Sequence, residues 1–226
     1  MFHEKLLDGD HWRILAKNGK PIHVWKPAGD IFSTILIVHG YYVDSDEAIR
    51  RYRLLEQLKA SGVKALFIIP EAPKGNSQPV FFPDLDALLD EVQSNIGHSS
   101  PSPVLAAGHS GAYRTILKWL SSPRLIHVTL LDGLYAGIDA FAKWVNLPNH
   151  SLTTVAATAT PTTNSIKLKQ KAPKVDFIQV KSSHMGLVTD GKTIPEYLRK
   201  LNSLMGMGTG ALILALVAGL AYFLLR

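Results

Sequence analysis

Residues 104–112 read Val-Leu-Ala-Ala-Gly-His-Ser-Gly-Ala and place a serine between an apolar run and a helical pattern. The apolar run is typical of a strand that is buried on both faces. The residues after it predict a helix that stops before Pro123. The small residues Gly108 and Gly111 allow the strand and the helix to approach closely. Such a tight turn raises the Ser110 hydroxyl above a helix N-terminus, where free amides favour negative charge.

Further apolar runs and helical patterns alternate on both sides of this turn. A hairpin with an Asn-Gly turn is predicted first, over residues 12–25. Further strands are predicted at residues 34–39, 65–69, 127–131, 151–157 and 175–180, and helices at residues 45–60, 84–96, 139–146 and from 193 onwards. Residues 162–170 give no clear pattern. Strands that alternate with helices predict an α/β fold, a three-layer sandwich with a mostly parallel sheet, in one domain over residues 1–203.

The composition excludes several classes of protein. The chain of 226 residues has no cysteine, which rules out a cysteine nucleophile, a thiolate zinc site and a disulfide framework. Its net charge is +6, but no dense block of Lys and Arg indicates nucleic-acid binding. No cluster of histidines and carboxylates has the spacing of metal ligands, so we expect neither a metal nor another cofactor.

The end of the chain differs from the rest. Residues 204–225 contain no charge, and as a helix they would extend about 33 Å, enough to cross a bilayer. The beginning of the chain shows no signal peptide. We therefore expect residues 204–226 to be a C-terminal transmembrane anchor, the alternative being a buried terminal helix. Because Arg199 and Lys200 precede the span, the positive-inside rule predicts that the preceding domain is cytoplasmic.

A nucleophilic serine needs a base, and the base needs an acid that orients it. Of the three histidines after Ser110, His127 and His150 lie before predicted strands, at the wrong end of a parallel sheet. His184 follows the last predicted strand and therefore lies at the same edge as Ser110. His184 is the predicted base.

Three aspartates lie between the serine and this histidine. Asp132 ends the strand that follows the nucleophile helix, whereas Asp139 lies in the next loop or helix start and Asp176 begins the last strand. Asp132 is the predicted acid. Its alternative interpretation is a turn residue before Gly133.

The turn at Ser110, the His39-Gly40 pair after an early buried strand and the order Ser, Asp, His resemble the α/β-hydrolase superfamily over roughly residues 11–203. Two features depart from its pattern. Ala112 stands where these proteins most often have glycine, and the acid is more often found one strand later, where residues 155–165 contain no carboxylate. The resemblance implies that the amides of Tyr41 and Gly111 stabilise an oxyanion.

The resemblance further implies a serine hydrolase that cleaves a carboxylic ester, or else an amide or thioester, through an acyl-enzyme on Ser110, and the predicted anchor makes it a membrane-anchored one. A small-molecule or lipid-like ester is the expected substrate, and Tyr42, Phe81 and Phe82 are candidates for the wall of its acyl pocket. A catalytically inactive scaffold tethered to a membrane is one alternative. A serine peptidase or acyltransferase is another. The sequence predicts no oligomeric state.

Overall fold

A computed structural model describes residues 1–201 of the chain. The predicted anchor, residues 204–226, lies outside these described residues, and so does the end of the predicted domain. Among residues 1–201 no helix is both long enough and apolar enough to span a bilayer.

The centre of the fold is one nine-stranded sheet with the strand order β1-β2-β3-β5-β4-β6-β7-β8-β9. The strands are β1 (Phe2–Leu6), β2 (Gly9–Leu15), β3 (Pro21–Pro27), β4 (Thr34–Val38), β5 (Leu66–Pro70), β6 (Val104–His109), β7 (Leu125–Leu131), β8 (Ser151–Ala156) and β9 (Asp176–Gln179). The first three strands pair antiparallel, and β3 also joins β5 antiparallel. From β5 to β9 all neighbours are parallel, which confirms the mostly parallel sheet predicted from the sequence.

Helices cover both faces of this sheet. They are α1 (Ser45–Arg51), α2 (Leu54–Ser61), α3 (Leu85–Ile96), α4 (Tyr113–Trp119), α5 (Ile138–Val145), α6 (Ala159–Lys171), α7 (Gly186–Thr189) and α8 (193–201). One hydrophobic cluster lies between the sheet and α3 to α6. The other lies between the opposite face and α1, α2, α7 and α8. The predicted three-layer sandwich is therefore confirmed.

Three local features differ from the sequence prediction. The helix predicted over residues 45–60 is two helices, because Arg53 adopts a left-handed conformation with φ of 49° between α1 and α2. Strand β1 was not predicted, since it is a largely exposed edge strand without an apolar run. The unassigned residues 162–170 lie within α6, whose hydrophobic contacts are few along its length.

The register of the parallel strands determines which residues meet at their carboxyl ends. Val38 of β4 is paired with Gly108 of β6, and His109 of β6 is paired with Leu131 of β7. In turn, Leu131 is paired with Val155 of β8. The residues that directly follow these strands therefore lie side by side along one edge of the sheet.

His127 lies within the sheet, far from this edge, and makes the fold sensitive to acid. Its ring nitrogens share hydrogen bonds with Ser151 Oγ (2.7 Å) and Thr129 Oγ1 (3.0 Å). Burial lowers the pKa of His127 from 6.5 to about 4, so the ring is neutral in the folded chain. Between these values the unfolded chain binds the additional proton, and the free energy of unfolding falls as the pH falls.

We predict that His127→Gln makes stability less dependent on pH between 6.5 and 4. Each proton bound only by the unfolded chain costs about 1.4 kcal/mol per pH unit. Denaturant unfolding at several pH values measures this slope, which should be shallower in His127→Gln than in the unmodified protein. The exposed His98→Gln is the control and should keep the original slope. Parallel curves for all three proteins would contradict the prediction.

Candidate active site

Ser110 lies in a strained turn between β6 and α4. The turn is a short 3-10 helix, Ser110–Ala112, and Ser110 has a φ of 54°. A left-handed conformation costs a residue with a side chain about 1–3 kcal/mol, and such strain is concentrated at functional sites. A methyl group added to Gly108 would lie 2.9 Å from the Ala112 methyl. The alanine at position 112 is thus accommodated because position 108 has no side chain.

Asp132 and His184, the predicted acid and base, are in direct contact. His184 Nδ1–H donates a hydrogen bond of 2.7 Å to Asp132 Oδ2. Asp132 directly follows β7 and is completely buried, whereas the His184 side chain, on the loop after β9, is 30% exposed. Because Nδ1 carries the proton in this arrangement, Nε2 is the nitrogen available to accept a proton from a nucleophile.

Asp132 has further hydrogen-bond donors that sequence analysis missed. The amides of Ala157 and Thr158 donate to its Oδ1 at 2.8 and 3.0 Å, and the Thr158 hydroxyl donates to its Oδ2 at 2.7 Å. Burial acts to raise the pKa of Asp132, but the bonds from His184, Ala157 and Thr158 outweigh it and hold the pKa below its ordinary value. Asp132 is therefore a buried carboxylate that stays ionised and orients His184.

His109, the residue before the serine, supports His184 from the other side. Its Nε2–H donates to the His184 carbonyl at 3.0 Å, and the two rings lie 4.4 Å apart between centroids. Burial, together with the neighbouring His184, lowers the pKa of His109 to about 4. His109 is consequently a neutral support that adds no positive charge beside the catalytic candidate. Its position within the serine turn was visible in the sequence, but this contact was not.

No hydrogen bond connects the Ser110 hydroxyl with His184 among the described residues. His109, which precedes Ser110 in the chain, contacts His184 and so joins the serine turn to the loop that carries His184. In ligand-free enzymes this bond is often long and tightens only when substrate is bound.

The loop after β4 packs directly against the serine turn. A methyl group added to Gly40 would lie 2.9 Å from Ser110 Cβ and 3.0 Å from His109 Nδ1. His39 fixes this loop, because its Nδ1–H donates to the Gly40 carbonyl and its Nε2 accepts from the Ala72 amide. Tyr41, the next residue, therefore lies in a loop that contacts the serine turn.

The three residues predicted to line the acyl pocket occupy different environments. Tyr42 is 87% exposed and adopts a φ of 68°, and its ring centroid lies 6.4 Å from that of Tyr41. Phe81 is half-buried, with Lys20 Nζ 4.3 Å from the centre of its ring. Phe82 is only 6% exposed and belongs to the hydrophobic core beside α3. Phe82 is therefore a core residue and does not wall an open cleft.

The site combines a hydroxyl, an imidazole, a carboxylate and backbone amides, and these are the groups that acyl transfer uses. Within residues 1–201, no three His, Asp or Glu side chains are grouped so as to bind a metal ion.

Several solved structures with a similar fold are esterases or other hydrolases. A cold-adapted esterase from an Arctic intertidal metagenomic library aligns with a TM-score of 0.59 at 17% identity, covering 88% of this chain and 96% of that protein. Carboxyl esterase 2 from the mycorrhizal fungus Tuber melanosporum aligns with a TM-score of 0.64 at 12% identity, covering 85% and 87%. An S-formylglutathione hydrolase from Agrobacterium tumefaciens aligns with a TM-score of 0.57 at 10% identity, covering 90% and 97%.

These likenesses show that the chain has the α/β-hydrolase fold, which confirms the fold implied by the sequence resemblance. By sequence, it matches no protein-family model and none of the curated proteins with which it was compared.

We predict that Gly40→Ala lowers hydrolytic activity by about 100- to 1000-fold, the range that follows loss of an oxyanion donor. The added methyl group would push the Tyr41 amide away from Ser110. Turnover of a chromogenic ester measures the effect. Ser94→Ala is the control, because that side chain only bonds the Asp90 carbonyl on the exposed side of α3. Equal activity in both variants would contradict the predicted role of this loop.

Proposed function

We propose that the protein is a serine hydrolase that cleaves a carboxylic ester through an acyl-enzyme on Ser110. The observation that carries this proposal is the 2.7 Å bond from His184 to the buried Asp132, at the sheet edge where the strained Ser110 also lies. The esterases and hydrolases that share the fold support the same reaction class.

In the proposed reaction His184 Nε2 accepts the Ser110 proton while Oγ attacks the ester carbonyl. The amides of Tyr41 and Gly111 stabilise the negative charge that develops on the carbonyl oxygen. The imidazolium is stabilised by Asp132 and then donates its proton to the leaving alcohol. Water, activated by the same imidazole, hydrolyses the acyl-enzyme and restores the serine.

A fluorophosphonate probe tests the nucleophile directly, because it reacts covalently with an activated serine. We expect the unmodified protein to be labelled and Ser110→Ala to remain unlabelled. Ser94→Ala is the matched control and should label fully, since its hydroxyl only bonds the Asp90 carbonyl on the exposed side of α3. Intact-mass measurement of folded protein gives the labelled fraction. Labelling that persists in Ser110→Ala, or is absent from the unmodified protein, would refute the proposed nucleophile.

One observation favours a second function, a binding protein that keeps the fold without the chemistry. The structure has no hydrogen bond between Ser110 and His184 among its described residues, whereas an active triad needs that contact during turnover. The labelling experiment separates the two functions. A folded protein that resists the probe and hydrolyses no ester would favour the binding protein.

We also propose that residues 204–225 anchor the enzyme in a membrane with its catalytic domain in the cytoplasm, where a lipid-like ester would be accessible. The support is the sequence alone, namely an uncharged apolar stretch preceded by Arg199 and Lys200.

We predict that the full chain stays in the membrane pellet after alkaline carbonate washing. The double substitution Leu214→Lys and Val217→Lys should move it to the supernatant, because charges at the centre of a span oppose insertion by about 3 kcal/mol each. Leu214→Ala with Val217→Ala is the matched control and should remain in the pellet. The same distribution for all three proteins would exclude the anchor.

A further inference from the structure

Arg114, four residues after the candidate nucleophile, joins the nucleophile helix to two other segments. Its Nη1 donates to Tyr41 Oη at 3.1 Å and to the Gly75 carbonyl at 3.0 Å, and its Nη2 donates to the Gln78 carbonyl at 2.9 Å. All three acceptors are neutral oxygens, and the guanidinium is half-buried. The planar fork of an arginine suits such a junction, because each nitrogen is held in a fixed direction.

Residues 71–83, which contain two acceptors of Arg114, also form hydrogen bonds to the loop after β4 that carries the Tyr41 amide. We call this segment the bracing loop. The Tyr42 amide donates to the Lys74 carbonyl at 3.1 Å, and Tyr41 Oη donates to Asn76 Oδ1 at 2.8 Å. Lys74 also forms an ion pair of 2.8 Å with Asp44. The bracing loop is thus bonded to the Tyr41 side chain and to Tyr42 and Asp44, which follow it in the chain.

The Tyr41 side chain completes the connection to the serine turn. A methyl group added to Gly111 would overlap the Tyr41 ring, so the ring lies directly on the backbone of Gly111. The candidate oxyanion donors, the amides of Tyr41 and Gly111, belong to different strand–loop units that follow β4 and β6. Arg114 bonds to the Tyr41 hydroxyl and also to the bracing loop that holds the Tyr41 backbone.

We propose that Arg114 is a positioning residue that sets the distance between the Tyr41 amide and Ser110. This proposal rests on the proposed hydrolase function and deepens it. Arg114 does not touch the reacting atoms. It acts through the Tyr41 hydroxyl and the bracing loop, and it keeps the oxyanion donors of the two units in register during acylation.

The proposal predicts that Arg114→Gln lowers kcat by about 10- to 100-fold while KM changes little, because a displaced donor weakens mainly the transition state. Arg114→Lys keeps the charge but loses the planar guanidinium fork. Its kcat should lie between that of Arg114→Gln and that of the unmodified protein. Tyr41→Phe removes one acceptor of Arg114 and should lower kcat less than Arg114→Gln does. In the double variant, Tyr41→Phe should lower kcat little further than Arg114→Gln does alone, because both substitutions break the hydrogen bond between Arg114 and Tyr41.

The matched control is Arg124→Gln. Arg124 also donates to a backbone carbonyl, that of Ser100 at 2.8 Å, but at the opposite end of the strands. Rates are expressed per active site, by titration with the fluorophosphonate, so that a smaller folded fraction does not imitate a lower kcat. Arg124→Gln should then keep the original kcat.

Hydrogen exchange of the Tyr42 amide provides a measurement independent of turnover. In Arg114→Gln this amide should exchange at least 10-fold faster, whereas Arg124→Gln should leave it unchanged. An original kcat together with original exchange in Arg114→Gln would overturn the proposal. If the unmodified protein neither labels nor turns over, the hydrolase proposal fails, and the exchange result alone decides whether Arg114 positions Tyr41. If Arg114→Gln does not fold, Arg114→Lys is judged by the same two criteria.

Discussion

The site depends on one buried carboxylate, that of Asp132. Burial disfavours its charge, and four donors from two parts of the chain overcome that cost. The donors come from the amides of Ala157 and Thr158, the Thr158 hydroxyl and the His184 ring. Asp132 is therefore more than an orienting acid, because it ties the end of β7 to the start of α6 and to the loop after β9. Removing any donor would leave buried charge less compensated.

Two neighbouring strands end in the same unusual backbone conformation. Ser110 after β6 has a φ of 54°, and Asp132 after β7 has a φ of 44°. Neither residue adopts this conformation by preference, so the surrounding packing must impose it. The register of β6 and β7 places the two residues side by side, and the Asp132 amide is held by the Val155 carbonyl of β8. The strain is thus maintained by the sheet.

Sequence reasoning reached the parts of this structure that are encoded locally. The apolar runs identified the parallel strands, and the small residues around Ser110 identified the tight turn, because each feature depends on residues close together in the chain. It missed β1, a largely exposed edge strand whose sheet partner is β2, and the break at Arg53 between two helical patterns. It also missed the role of Thr158, since nothing in residues 155–165 indicates that their donors converge on a carboxylate from another strand.

The geometry of a parallel sheet allows the candidate acid, Asp132, to follow β7. Neighbouring strands lie about 4.8 Å apart, so a carboxylate after β7 and one after β8 are separated by little more than one side chain. The loop after β9 brings His184 within 2.7 Å of the carboxylate after β7. The segment after β8, which lacks a carboxylate, supplies Thr158 and two amides instead. The segment after β7 thus supplies the carboxylate and the segment after β8 supplies its hydrogen-bond donors, while the His184 imidazole is oriented through Nδ1.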